Sequence, residues 1–294
     1  MTMISVVTLP LMWTLLIISC IGEKYVDLSH DISEESFHWP SVGPFSRRTV
    51  ARGYTKEGYW NEHYSFCMHE QTSTHLDAPC HYAEGKWFVH EIPLNHLMGP
   101  GVIIDIRDKV ADDPNYELSP DDFMSWLDVH GPLPDGAILF IRTGWSSKYK
   151  NIEEYFGMDT TNISHFNFPG LSVGAAQLIV SHEAAFGRRV FAVGTDAPSI
   201  DHGPSVDFRA CETLFGANIY GIQAVTNLEN LPTKGFHVLV LPMKIRGGCG
   251  APARVLASLP ETNGVPDSSP VAFSGLILQS FVLLILNGIK SSLA

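Results

Sequence analysis

An α/β domain with a mixed sheet is predicted by three observations. Short apolar runs of buried-strand type recur along the chain, at residues 101–106 (GVIIDI), 137–141 (AILFI), 190–193 (VFAV) and 238–241 (VLVL). Helix-like stretches lie between them, and buried strands separated by amphipathic helices indicate an α/β domain. Several shorter strands precede Gly101, which makes the expected sheet mixed. The expected architecture is a single mixed-sheet β/β/α domain.

Two helices announce themselves by their first residues. Ser119 reads as an N-cap with Pro120 at the first helical position. Residues 172–185 (SVGAAQLIVSHEAA) form a second helical stretch, also opened by a serine. Residues 75–77 read as extended chain. Pro79 then stops the strand, because it has no N–H to offer a ladder.

Both ends read as processing or anchoring segments. Residues 4–18 (ISVVTLPLMWTLLII) are almost wholly apolar, and the small residues Cys20 and Gly22 follow, which predicts a secretory signal peptide over 1–22. Residues 271–289 (VAFSGLILQSFVLLILNGI) are long and apolar enough to cross a bilayer. Small residues and a polar spacer precede them, so 263–294 reads as a GPI-attachment signal or a single membrane span. Between the ends, 23–262 gives roughly 240 residues, enough for one large domain. The expected location is the secretory pathway and cell surface.

The net charge of −12 argues against nucleic acid and against an anionic membrane surface as partners. Of five cysteines, Cys20 falls in the leader, leaving Cys67, Cys80, Cys211 and Cys249. An oxidising compartment allows disulfides, and four cysteines permit three complete pairings. Asn162-Ile163-Ser164 is a glycosylation sequon.

The chemistry concentrates in HEQTSTHLDAPCH, residues 69–81. His75 and Asp77 are two apart, so in an extended chain they share a face. An imidazole and a carboxylate converging on one point suit a divalent ion. His81 follows the turn, where a histidine can shuttle the proton of a metal-bound water.

THLDAPCHY is similar to the signature of the cyclase or kynurenine-formamidase-like family, which includes isatin hydrolases. Further blocks extend the resemblance over most of the chain: YVDLSH from Tyr25, Trp39-Pro40, RTGW from Arg142, FPGL from Phe168, GTDAPSID from Gly194, NIYG from Asn218 and LPMK from Leu241. The resemblance implies the family's swivelling-domain-like fold, often in a dimer or larger oligomer. It also implies a divalent metal, Zn or Mn, that activates water to open an amide or lactam bond.

Carried over by position, the family's ligands fall on Gln71, His75, Asp77, Cys211 and Gln223, and its last signature histidine is His81. The family has histidine where this chain has Gln71 and Cys211, glutamate at Gln223, and glycine at Ser73. A His75, Asp77 and Cys211 set is a chemically sound zinc site. A disulfide from Cys211 would be the alternative clamp. Trp39 and Asp196 are the expected substrate contacts, and His69 is a candidate substitute ligand.

Two readings follow. One is a metal-dependent hydrolase of a small aromatic amide, such as N-formylkynurenine or an isatin-like lactam. The other is a catalytically inactive, surface-anchored scaffold or ligand-binding protein that keeps the fold.

Overall fold

The computed structural model describes residues 23–157 and 165–260. The expected leader, the sequon at Asn162, and the spacer and tail at 263–294 lie outside the described residues. Among the described residues no helix is long and apolar enough to cross a membrane.

Twelve strands are described. They are β1 (Glu23–Asp27), β2 (Ser46–Tyr54), β3 (Trp60–Cys67), β4 (His75–Asp77), β5 (Met98–Asp105), β6 (Glu117–Leu118), β7 (Ala137–Arg142), β8 (Gly170–Leu171), β9 (Val190–Thr195), β10 (Tyr220–Gln223), β11 (Lys234–Pro242) and β12 (Gly250–Pro260). The helices are α1 (Arg107–Asp112), α2 (Pro120–His130), α3 (Ile152–Phe156), α4 (Val173–Phe186) and α5 (Arg209–Gly216).

The main sheet runs β1-β12-β11-β5-β7-β9-β10-β4. The four central strands β5, β7, β9 and β10 are parallel. Strands β11, β12 and β4 run antiparallel to their neighbours. The sheet is therefore mixed, as expected, but it is not open. Strand β4 pairs with β10 on one side and with β12 on the other, which closes the sheet into a barrel-like ring.

Side-chain alternation divides the ring into two cores. In β5, Ile103 faces one apolar cluster, while Val102 and Ile104 face the other. In β7, Ile138 and Phe140 join the first, while Ala137, Leu139 and Ile141 join the second. The first cluster fills the ring with Ile222, Val238, Val240, Ala251 and Val255. The second holds α2, α4 and α5 against the outside, through Trp126, Ile179 and Leu214 among others. Buried strands of this kind are apolar on both faces, which is why they read as continuous runs.

Strands β2 and β3 form a separate two-stranded ribbon. It exposes Val50, Tyr54, Trp60 and Phe66, with Tyr59 in the turn.

Helix α2 starts as its sequence requires. The Ser119 hydroxyl accepts from Asp122 N–H at 3.2 Å, and the Asp122 carboxylate accepts from Ser119 N–H at 2.9 Å. This reciprocal capping box is typically worth about 1 kcal/mol. Burial works against the Asp122 charge. The Lys109 ammonium, the Ser119 N–H and the Tyr116 hydroxyl outweigh it and hold the carboxyl at about 2, below its ordinary 3.8. A depressed carboxyl stabilises the fold above its unfolded value and loses that contribution as pH falls. The difference in urea midpoint between the wild type and Asp122→Asn should therefore shrink as pH is lowered from about 4 to about 2.

Candidate active site

The three residues of β4 point alternately. Leu76 enters the ring interior with no exposed surface. His75 and Asp77 therefore face outward, toward the helices, and both are buried. His75 Nε2 lies 3.7 Å from Asp77 Oδ1.

Each of the two side chains is held from behind. His75 Nδ1 donates to Ser73 O at 2.8 Å, which leaves Nε2 to face the carboxylate. Burial lowers the His75 pKa, with the Asp77 charge opposing, which favours the neutral ring. Asp77 Oδ2 accepts from Gln223 Nε2 at 2.6 Å. His75 Nε2 and Asp77 Oδ1 have no hydrogen-bond partner. Two buried lone-pair donors thus face one another with no donor between them.

Ser73 stands where the family signature has glycine, and it adopts φ 59°, in the left-handed region. That conformation aims its carbonyl at the His75 ring, and glycine reaches it without the steric cost of a Cβ. The Ser73 hydroxyl meets the Tyr149 hydroxyl at 2.8 Å, an interaction glycine lacks.

The two glutamines lie beside the pair. Gln223 is the register partner of His75 across β10. Gly250 is the register partner of Asp77 across β12, and a Cβ there would sit 2.2 Å from Gln71 Nε2. Gln71 therefore packs its amide into the space that Gly250 leaves next to Asp77. His69 is exposed and is not part of this cluster.

Cys211 is close but otherwise engaged. It sits in the first turn of α5, where Asp201 Oδ1 accepts from Ala210 N–H at 2.8 Å and Oδ2 from Cys211 N–H at 3.0 Å. Burial first, and the Asp201 charge second, push the Cys211 thiol well above its ordinary value. Among the described residues no three His, Cys, Asp or Glu side chains converge to hold a metal ion. The expected His75, Asp77 and Cys211 trio is thus not gathered. Cys211 is a free, fully buried thiol, and among the described residues no disulfide from it is formed.

Asp196, an expected substrate contact, is buried and fully hydrogen-bonded. Its Oδ1 accepts from Thr143 N–H at 2.8 Å and from the Thr143 hydroxyl at 2.6 Å, and its Oδ2 accepts from Gly144 N–H at 2.8 Å. The carboxylate holds the turn after β7. Trp39 is half-buried against Phe37, Phe156 and Phe166. Phe37, absent from the sequence reading, lies nearly parallel to the His75 ring at 6.4 Å between centroids. His81 is half-buried, close enough for its charge to bear on His75. Tyr82 was also missed: burial first, then Cys211, Asp77 and Asp201, raise its phenol. Its place directly after His81 was the signal available in the sequence.

Comparison with known proteins bears directly on this arrangement. The Cyclase family model matches residues 26–202. The chain belongs to the cyclase family. Among its cyclase relatives, the isatin hydrolase of Roseibium aggregatum is 30% identical over 196 residues, covering 65% of this chain and 73% of the relative. The kynurenine formamidase of Salinibacter ruber is 25% identical over 237 residues, covering 80% and 98%. The cyclase fold matches that of isatin hydrolase A from Labrenzia aggregata bound to benzyl benzoate with a TM-score of 0.72 and 29% identity, over 81% of this chain and 94% of that one. A structure described as a potential metal-dependent hydrolase with cyclase activity gives a TM-score of 0.60 at 25% identity, over 82% and 100%.

A divalent ion fits the two orphaned atoms of this cyclase site. An imidazole nitrogen and a carboxylate oxygen, 3.7 Å apart and without a donor between them, are donor types a divalent ion would take. The fit is thin, because the remaining neighbours are neutral amides. Gln223→Ala should lower stability by about 1–3 kcal/mol, since it leaves Asp77 Oδ2 buried without a donor; the urea midpoint reads this out.

Proposed function

We propose that this chain hydrolyses the C–N bond of a small aromatic amide or lactam, using a divalent ion, zinc or manganese, held by His75 and Asp77. The reading is carried by the facing lone pairs of His75 Nε2 and Asp77 Oδ1, which are buried and lack any donor. The names of the relatives, isatin hydrolase and kynurenine formamidase, support the substrate class.

When bound, such an ion polarises a carbonyl and lowers the pKa of water. The chain's own residues do the rest. Ser73 O fixes the His75 tautomer through Nδ1, and Gln223 Nε2 fixes the Asp77 carboxylate. The amides of Gln223 and Gln71 offer carbonyl oxygens as neutral supplementary ligands if either side chain turns over. The His81 imidazole takes the proton of the attacking water and returns it to the leaving nitrogen. Trp39 lies at the outer end of the aromatic group that Phe37 begins, where it can wall an aromatic ring.

The second reading, an inactive scaffold, draws on a specific observation. Gln223 donates to Asp77 Oδ2 where the family has a glutamate, so a hydrogen bond replaces one negative charge of the pocket. Metal analysis with hydrolysis assays on N-formylkynurenine and isatin separates the two. Stoichiometric metal with activity that falls at least ~100-fold in His75→Ala supports the hydrolase. A metal-free, inactive wild type beside a Gln71→His/Gln223→Glu double variant that binds metal supports the scaffold and ends the hydrolase reading.

The exposed aromatic ribbon of β2 and β3 supports a further expectation, a homo-oligomer. An isolated two-stranded ribbon is marginal in water, and covering its apolar face stabilises it. Light scattering should show a multiple of the 32.4 kDa chain, reduced to a monomer by Trp60→Glu with Phe66→Glu. A wild-type monomer would refute this.

A further inference from the structure

Two thiols outside the cluster around Asp77 lie almost in bonding contact. Cys80 Sγ and Cys249 Sγ are 2.9 Å apart, although they are 169 residues apart in the chain. Both are half-buried and free. A disulfide bond is 2.03–2.05 Å long, so the sulfurs need to close by less than about 1 Å.

The backbones that carry them are already tied together. Ala78 N–H donates to Cys249 O at 2.8 Å, and Cys80 N–H donates to Trp87 O at 3.0 Å. On the next turn, Val89 N–H donates to Gly248 O at 2.9 Å. The Glu70 carboxylate accepts from both Cys249 N–H and Gly250 N–H at 3.0 Å. The Ala78–Cys249 and Val89–Gly248 bonds hold the two segments side by side on both flanks of the sulfurs. Elsewhere among the described residues the cysteines stand apart: Cys67 is exposed at the end of the ribbon strand β3, and Cys211 is buried in α5.

We propose that Cys80 and Cys249 are a disulfide cross-linking site, with Cys67 and Cys211 left as free thiols. The reaction is thiol–disulfide exchange with a low-molecular-weight disulfide. One thiolate attacks a sulfur of glutathione disulfide, forms a mixed disulfide and releases one glutathione thiolate. The second thiol, as thiolate, then attacks the protein-side sulfur and releases the other. One protein disulfide forms, two molecules of reduced glutathione leave, and two thiol protons pass to the departing thiolates.

The location gives the cross-link consequences at the site. Cys80 immediately precedes His81, and Cys249 immediately precedes Gly250, the register partner of Asp77. The bond would bind the turn bearing His81 to the start of β12. It would also close a loop containing most of the domain, and long loops lose the most unfolded-state freedom when cross-linked.

The test uses the full chain, incubated with glutathione disulfide, alkylated with N-ethylmaleimide, then unfolded and mapped by mass spectrometry. The expected result is one linked peptide pair containing Cys80 and Cys249, with two glutathiones released per chain. Cys67 should be alkylated in the native state and Cys211 only after unfolding. Thermal unfolding gives the second readout: a reductant should lower Tm of the oxidised wild type by roughly 5–10 °C and leave Cys249→Ser unchanged. Alkylation of both Cys80 and Cys249 after oxidation, a stable glutathione adduct on either in the wild type, or equal Tm shifts in wild type and variant would overturn the proposal.

Discussion

The double pairing of β4 is the constraint on which the rest depends. Three residues, His75–Asp77, bridge β10 and β12 and turn an open sheet into a ring. Without them both strands would present unpaired edges, which folded proteins avoid. The same register sets the neighbourhood of the site. Asp77 stands between Gly221 on one strand and Gly250 on the other. The space left beside Gly250 is taken by Gln71, and that beside Gly221 by Ile200 and Phe215.

The electrostatics around β4 follow from what each carboxylate is given to accept. Asp196 takes three donors from Thr143 and Gly144, and Asp201 takes two from the start of α5. Both carboxyls are pushed upward by burial, against those hydrogen bonds. Of these three carboxylates, Asp77 alone keeps an oxygen without a donor, and that oxygen faces His75 Nε2, which also lacks a partner. Carboxylates that hold turns and a carboxylate open to a cation look alike in sequence. Their hydrogen-bond inventories tell them apart.

Much of this fold was legible because its signals are local. The apolar runs at 137–141, 190–193 and 238–241 lie in strands, as does 101–106 up to Asp105, and the serines at 119 and 172 both cap helices. The shared face of His75 and Asp77 followed from a period of two. Ring closure was not legible, because β4 is too short to carry a pattern and its partners lie far along the chain. The hydrogen bonds of Asp196 were not legible for a similar reason: its donors, Thr143 and Gly144, come from another strand's end. The surroundings of Cys211 depend on Asp201, ten residues away, whose acceptance of the α5 amides only coordinates reveal.

Leu76 and its two neighbours divide labour within three consecutive residues. The leucine belongs to the interior that stabilises the ring, whereas the histidine and aspartate look out to the chemistry. Residues at 71, 211 and 223 lie on that outer side of the architecture or beside it, so exchanging them leaves the packing within the barrel intact. The wall of the barrel thus separates the side chains that hold the shell together from those that set its reactivity.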